Sequence, residues 1–392
     1  MSFKELPLMS DKKGTVLFYP YIPKNSASAI KKVLSGRWIG QGPLVDKFEK
    51  KFSKMFAKNN PCIATGAGTD ALHLAYILAG LKFGDEVIAP VYTCTATNIP
   101  FLYMGVKIKF ADVDPVTMNI SVKSVKKLIT SKTKAIVCTH YGGLPCDMDE
   151  LKKIASKNKI PIIEDAAHAL EAKSNNTKVG NTDYAAAFSF YANKNITTAG
   201  EGGALATNNK ELAQKVKKLS LHGITKDGWD RFKNNGKWEY DITELGYKYN
   251  LTDFAAAYGI WQMRYVNEWQ KRRKELVDQY HERLKGVEGI LLPNICEGHA
   301  KHLYVIQLLK EKWSISRDQF INEMGRRNVG LAIHYKPIYM LSYYMQQYGF
   351  KQNNFPRVNA LYNSIITLPL YPLLKDIEIE YITRNISENA DQ

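Results

Sequence analysis

The sequence predicts an α/β fold: a large unit with a mainly parallel central sheet flanked by helices, followed by a smaller C-terminal α/β unit. Two observations predict it. From Cys62 to Asn208, short apolar runs alternate with helical stretches, the pattern of strands joined by crossover helices. The length of 392 residues, 45% hydrophobic and 23% charged, predicts two or three units and supplies enough apolar residues for large cores. A change of unit near Gly286–Gly289 divides the chain into 1–285, an N-terminal lead and the large unit, and 286–392, the small one.

Residues 1–34 read as a flexible lead and a first helix, with Ser26 a candidate cap. The lead has charges where a signal peptide's apolar core would sit, and no apolar run approaches the roughly 20 residues of a membrane span. Gly36 to Gly40 is a turn carrying Trp38. The strands are expected within EVIAP, VKIKFADVD, KAIVCTHY, IPIIED, YAAAFSF and GALATN, and a helix over Asp70 to about Ala79 stopped by Gly80. A helix over Glu211–Leu219 leads into a glycine- and lysine-rich segment of about twenty residues, longer than an ordinary loop. Leu251 to about Arg283 reads as one or two long helices, whose basic run Lys271-Arg272-Arg273-Lys274 is a solvated face. The small unit is expected to hold a strand over His302–Leu309, a helix over Arg317–Arg326 and a strand over Ile365–Leu370.

Five cysteines, odd in number and without CxxC pairing, favour reduced thiols in the cytoplasm over a disulfide framework or a zinc site; no metal site is expected. The net charge of +16 fits a polyanionic partner, but the lysines are scattered and no nucleic-acid-binding module is recognisable.

Three stretches carry chemistry. In SFYANKNITTAGEGG (Ser189–Gly203), Lys194 lies in a loop after an apolar strand; a desolvated lysine becomes a nucleophile suited to Schiff-base chemistry, the alternative being a surface loop. In IPIIEDAAHALEA, a buried strand ends at Glu164-Asp165, where open parallel sheets bind ligands. A carboxylate there can hold a pyridinium nitrogen, as when pyridoxal phosphate serves as an electron sink; otherwise Asp165 caps the next helix. In IATGAGTDAL, a glycine-broken turn opens a helix, an anion site by geometry, and the absence of GxxxxGK[ST] argues against a triphosphate-binding loop.

With these pieces in this order the chain resembles the DegT/StrS sugar aminotransferases, pyridoxal-phosphate enzymes of fold type I. The resemblance runs from SGRWIGQGPLVDKFEKKF through GAGTDALHLA, GDEVIAPVYTCTATN, IEDAAHA, SFYANKNITTAGEGG, LHGI, GYKYNLTDFAAA and HLYVIQL to IHYKPIY. It implies Lys194 as the lysine that binds the cofactor covalently, Asp165 at the pyridine nitrogen and His168 at the 3-hydroxyl. It assigns Gly68, Thr69, Asp70 and Ser189 to the phosphate, and gives Asn250 a phosphate contact from the partner subunit of a homodimer. Cys94 stands where the family usually stacks an aromatic ring on the cofactor, with Tyr92 as the alternative ring. Trp38, Tyr92, His334 and Tyr335 are expected near substrate, the alternative for Trp38 being that it packs the first helix.

The implied reaction moves an amino group from L-glutamate to a keto group, at C4, of a nucleotide-linked keto-deoxy sugar, the cofactor cycling through pyridoxamine phosphate. The product would be an amino sugar for surface polysaccharide or glycan synthesis. A C3-keto sugar or a cyclitol ketone is the alternative acceptor, and a non-catalytic relative that binds a partner is the rival from another class. Relatives that use the cofactor for dehydration carry histidine in place of the lysine; here Lys194 is present.

Overall fold

The computed structural model describes residues 14–23, 25–36, 38–226, 228–232, 236, 238–351 and 354–390. The lead at 1–13, Arg37 and residues 227, 233–235 and 237 of the long glycine- and lysine-rich segment lie outside the described residues. The strands are β1 (Cys62–Thr65), β2 (Glu86–Pro90), β3 (Lys107–Ala111), β4 (Thr133–Thr139), β5 (Ile162–Asp165), β6 (Lys173–Ser174), β7 (Thr177–Lys178), β8 (Ala185–Ser189), β9 (Gly203–Thr207), β10 (Ile290–Leu291), β11 (Tyr304–Leu308) and β12 (Ile365–Leu368). Strands β2, β3, β5, β8 and β9 fall within the expected stretches, β4 starts one residue ahead of its own at Thr133, β1 leads into the glycine-broken turn, and the short pair β6 and β7 lies outside all six.

Seven of them form one sheet in the order β1-β9-β8-β5-β4-β2-β3. Neighbours β8, β5, β4, β2 and β3 run parallel, while β9 is antiparallel to both β8 and β1. Strands covered on both faces lose the polar–apolar alternation, and β1 and β9 are buried at every position. In β8, Ala185-Ala186-Ala187 pairs with Leu205 to Thr207 of β9, and these small side chains let a helix lie close.

The helices among the sheet's strands and next to them in the chain are α1 (Ser26–Leu34), α2 (Pro43–Phe56), α3 (Gly68–Leu78), α4 (Thr95–Tyr103), α5 (Val122–Leu128), α6 (Met148–Asn158) and α7 (Lys210–Leu219). Helix α3 covers β8 and β9. In α2, Val45, Phe48, Phe52 and Phe56 fall on one helical face, and that face is buried. Phe52 meets Phe188 of β8 edge-on at 5.1 Å, anchoring the helix to the strand that leads to Lys194. The expected cap of α1 is corrected: Ser26 is the first helical residue and is buried, while Asn25 holds the cap position with φ 70°.

Then come α8 (Gly228–Phe232), α9 (Asp253–Gln262), α10 (Val266–Leu284), α11 (Arg317–Arg326), α12 (Ser342–Tyr348), α13 (Pro356–Tyr362) and α14 (Asp376–Ala390). The solvated basic face of α10 is corrected at one residue. Arg273 is 4% exposed and donates from Nη1 to the carbonyls of Lys301 and Leu370. A guanidinium can satisfy several backbone carbonyls at once, which is how a charged residue can enter a core.

A second sheet, β10-β11-β12, is antiparallel throughout. Period-two alternation splits β11 between two cores. Tyr304, Ile306 and Leu308 pack with Leu276, Val277 and Tyr280 of α10 and Ile379, Ile382 and Ile386 of α14. Val305 instead joins the core of the large sheet, together with Ile365, Ile338 and Tyr339. The segment 333–339 is thereby carried over the carboxyl edge of the parallel strands.

Candidate active site

Lys194 sits in the loop that joins β8 to β9. Its backbone is pinned: Phe190 N donates to Gly202 O at 2.8 Å, Thr197 Oγ1 to Phe190 O at 2.9 Å, and Lys194 N to Tyr191 O at 2.9 Å. Gly202 closes the loop at φ 151°, where an added Cβ would lie 1.9 Å from Thr198 Oγ1. The loop backbone is therefore held by its own hydrogen bonds on both sides of Lys194. Its Nζ makes no hydrogen bond among the described residues. Burial pulls the amine from its ordinary 10.5 down to about 8, with Asp165 and Cys94 acting the other way.

Asp165 ends β5 and is 3% exposed. Oδ2 accepts from Thr97 Oγ1 at 2.6 Å and Oδ1 from the Ala167 N–H at 3.1 Å. The capping alternative is corrected: no helix follows β5 before β6, and the Ala167 N–H that Oδ1 accepts belongs to a turn. Thr97 in turn touches Thr93 Oγ1 at 2.7 Å, and Thr93 touches Thr139 Oγ1 at 3.2 Å. On the next residue back, Glu164 accepts from His140 Nε2 at 3.1 Å. His140 Nδ1 accepts the Cys146 N–H, which places the ring's proton on Nε2, so this buried pair joins the ends of β4 and β5.

The start of α3 lies against the end of β8. A Cβ on Gly68 would come 2.8 Å from Ser189 Cβ, and one on Gly203 would come 2.4 Å from Ala67 O. Only glycines allow this approach, which brings the Ser189 side chain to the helix's first turn. The N–H groups of Gly68, Thr69 and Asp70 bond to nothing among the described residues, as expected of a helix's first turn. Asp70 folds back on its own helix end; burial raises its carboxyl to about 6 against the Ala67 N–H bond, and Glu201 adds to the rise. Asn250 bridges to Thr65 of its own chain, and Gly66 N donates to Tyr249 O at 2.7 Å. Asn250 is thus brought beside its own chain's α3, where the resemblance implied a reach across to a partner.

His168 is buried, and both ring nitrogens have protein partners. Nδ1 accepts from Gly142 N at 3.3 Å, so Nε2 carries the proton and donates to Tyr335 Oη at 2.9 Å. Tyr335 keeps its own hydroxyl proton for another acceptor. The residue before it, His334, has its carbonyl bonded by Tyr92 Oη at 2.6 Å and by Tyr141 Oη, while its Nδ1 meets Thr367 Oγ1 at 2.9 Å. Tyr92 is 1% exposed and commits its hydroxyl to this loop, so it holds the loop in place instead of offering a ring to a ligand. His302 lies 4.4 Å from His168, centroid to centroid, and donates from Nδ1 to Asn195 Oδ1 at 3.0 Å. Burial, with Lys194 nearby, lowers the affinity of His168, His302 and His334 for a second proton, His334 to about 4.

Cys94 is half-buried at the cap of α4 and within electrostatic reach of Lys194 and Tyr335. The Trp38 ring meets Trp229 at 5.5 Å and Phe232 at 6.3 Å, both in α8, and its Nε1 donates to Gln41 O at 2.8 Å. Sequence reasoning missed Thr93, Thr97, Thr139, Asn195 and His302. The i, i+4 spacing of Thr93 and Thr97 in YTCTAT was the one available signal.

The arrangement fits pyridoxal phosphate. A partner-free amine held near neutrality, a buried carboxylate and a glycine-lined helix start beside a serine hydroxyl match its aldehyde, ring nitrogen and phosphate.

Comparison with known proteins points the same way. The model of the DegT/DnrJ/EryC1/StrS aminotransferase family matches residues 20–387. The spore coat polysaccharide biosynthesis protein SpsC of Bacillus subtilis is 36% identical, over 98% of this chain and 100% of its own length. The putative sugar aminotransferase Spr1654 of Streptococcus pneumoniae, solved in PMP-, PLP- and apo-forms, superposes in its PMP-form with a TM-score of 0.89. It is 29% identical over 96% of this chain and 98% of its own. PseC of Helicobacter pylori, an aminotransferase involved in the biosynthesis of pseudoaminic acid, superposes at 0.89 with 26% identity over 97% and 100%.

Proposed function

The chain belongs to the DegT/DnrJ/EryC1/StrS aminotransferase family, and we propose that it transfers an amino group from L-glutamate to the C4 keto group of a nucleotide-linked keto-deoxy sugar. It is a fold-type I enzyme whose cofactor is pyridoxal phosphate, and its relatives make amino sugars. The observation that carries the reading is Lys194, a lysine brought to about pH 8 by burial and facing Asp165 and Cys94.

Bound there, pyridoxal phosphate supplies a carbonyl that carries the amino group and a ring that takes up electrons released at the donor's α-carbon. Asp165 would hold the ring nitrogen, His168 the 3-hydroxyl, and Gly68, Thr69, Asp70 and Ser189 the phosphate, with Asn250, beside α3 of its own chain, adding a contact from the same subunit. For His168 to serve in this way it exchanges its bond to Tyr335. Lys194 Nζ moves a proton on and off the donor's α-carbon, general acid–base work for which an amine near pH 8 is suited. Tyr335, with a hydroxyl proton to give, and His334 bring the small unit, residues 286–392, to the acceptor. The net charge of +16 suits a diphosphate-bearing acceptor.

The test is spectroscopic. The visible absorption band of the purified, cofactor-loaded protein should bleach with L-glutamate and return on adding one member of a panel of keto nucleotide sugars. Return with a C3-keto sugar or a cyclitol ketone alone would overturn the acceptor. No bleaching by any amino acid would overturn transamination.

A further inference from the structure

Asp165 is held by side chains far from it in sequence. Thr97 on α4 and Thr93 in the loop after β2 are at most 1% exposed and Thr139 at the end of β4 is 5% exposed, so the bonds between them are made in the interior. The direction of those bonds follows from counting protons. A carboxylate only accepts, so Thr97 spends its one hydroxyl proton on Asp165 Oδ2, at 2.6 Å. The 2.7 Å contact between Thr93 and Thr97 then requires Thr93 to donate. The 3.2 Å contact between Thr93 and Thr139 likewise requires Thr139 to donate. Three hydroxyl dipoles therefore point the same way, toward one carboxylate, and such chains polarise one another. Tyr76 Oη bonds the Thr97 carbonyl at 2.8 Å and fixes the start of the helix that carries it.

We propose that Thr97, backed by Thr93 and Thr139, is a positioning residue that sets the orientation of the Asp165 carboxylate and thereby how tightly the protein holds the ring of its cofactor. With Oδ2 tied to Thr97 and Oδ1 to the Ala167 N–H, the carboxylate cannot turn about its Cβ–Cγ bond, and its remaining lone pairs have fixed directions. The proposal rests on the reading that Asp165 faces the ring nitrogen.

The experiment titrates apoprotein with pyridoxal phosphate, following tryptophan fluorescence for Kd and the visible spectrum of the loaded form. Loss of a hydrogen bond to a charged group predicts that Thr97→Val raises Kd by about 10- to 100-fold and shifts the band. Thr97→Ser, which keeps the hydroxyl, should stay within about threefold of wild type. Thr93→Val removes a neutral bond one step back and should cost about 2- to 10-fold. In an Asp165→Asn background, Thr97→Val should change Kd by less than about twofold, because the negative charge whose direction it sets is gone even though an amide oxygen remains to accept its proton. A Thr97→Val protein with wild-type Kd and spectrum overturns the proposal, as does an undiminished effect in the Asp165→Asn background or a serine variant no better than valine. If Asp165→Asn weakens binding and Thr97→Val does not, the relay alone falls. If Asp165→Asn changes nothing, the reading of Asp165 falls and the relay with it.

Discussion

Lys194 gives the sharpest predictions at the scale of single residues. Replacing it with alanine should lower transamination by about 10²–10⁴-fold or more, the range for a lost acid–base group, with the fold intact by circular dichroism. Its amine also sets a pH dependence in the cofactor-free protein. Capture of pyridoxal phosphate needs the neutral amine, so the capture rate should rise up to about pH 8 and level off there, not continue toward 10.5. The stability consequence has a definite sign. Between about 8 and 10.5 the unfolded lysine holds a proton that the folded one has lost, so apoprotein stability rises with pH across that window. Lys194→Met should flatten this slope in thermal melts between pH 8 and 10.

Elements meet at the site through close packing and one buried pair. Gly68→Ala pushes the start of α3 off Ser189, whose Cβ would stand only 2.8 Å from the new methyl. Overpacking of this kind costs about 1–3 kcal/mol and should both lower the melting temperature and weaken pyridoxal phosphate binding. The His140–Glu164 pair belongs to the same scale, since it ties β4 to β5 one residue before Asp165. His140→Phe leaves Glu164 buried without its partner, which should cost about 3–5 kcal/mol in apoprotein unfolding. A smaller loss than about 1 kcal/mol would show that Glu164 finds another donor.

On the whole molecule, charge and exposed apolar surface act together. Phe232, Trp238, Ile242 and Leu245, all in or after α8, are 59–87% exposed on the single chain. Apolar groups gathered in one segment suit burial against a second copy. Sedimentation should find a dimer in the wild type, and Trp238→Ser with Leu245→Ser should shift it toward monomer while weakening cofactor binding. If the acceptor is the nucleotide sugar proposed above, the +16 charge predicts that its KM rises severalfold between about 50 and 500 mM salt with kcat little changed, since screening acts on encounter. Among the described residues no helix is long and apolar enough to cross a membrane.

The order of the main strands along the chain, and the placing of Asp165, Ser189 and the Gly68 turn at strand ends and of Lys194 in a loop after a strand, were legible in the sequence. Each is written locally, as an apolar run, a loop residue or a glycine placed by its immediate neighbours. What the tertiary structure decided is which side chains meet. Thr97 reaches Asp165 across 68 residues, Thr93 reaches Thr139 across 46, and Tyr335 reaches His168 across 167. The burial of Arg273 inside a basic run, the commitment of Tyr92 to the His334 loop and the packing of Trp38 on α8 were hidden for the same reason. Hydrophobic patterning is set by neighbours in the chain, whereas a buried polar group must find its partner wherever packing brings one.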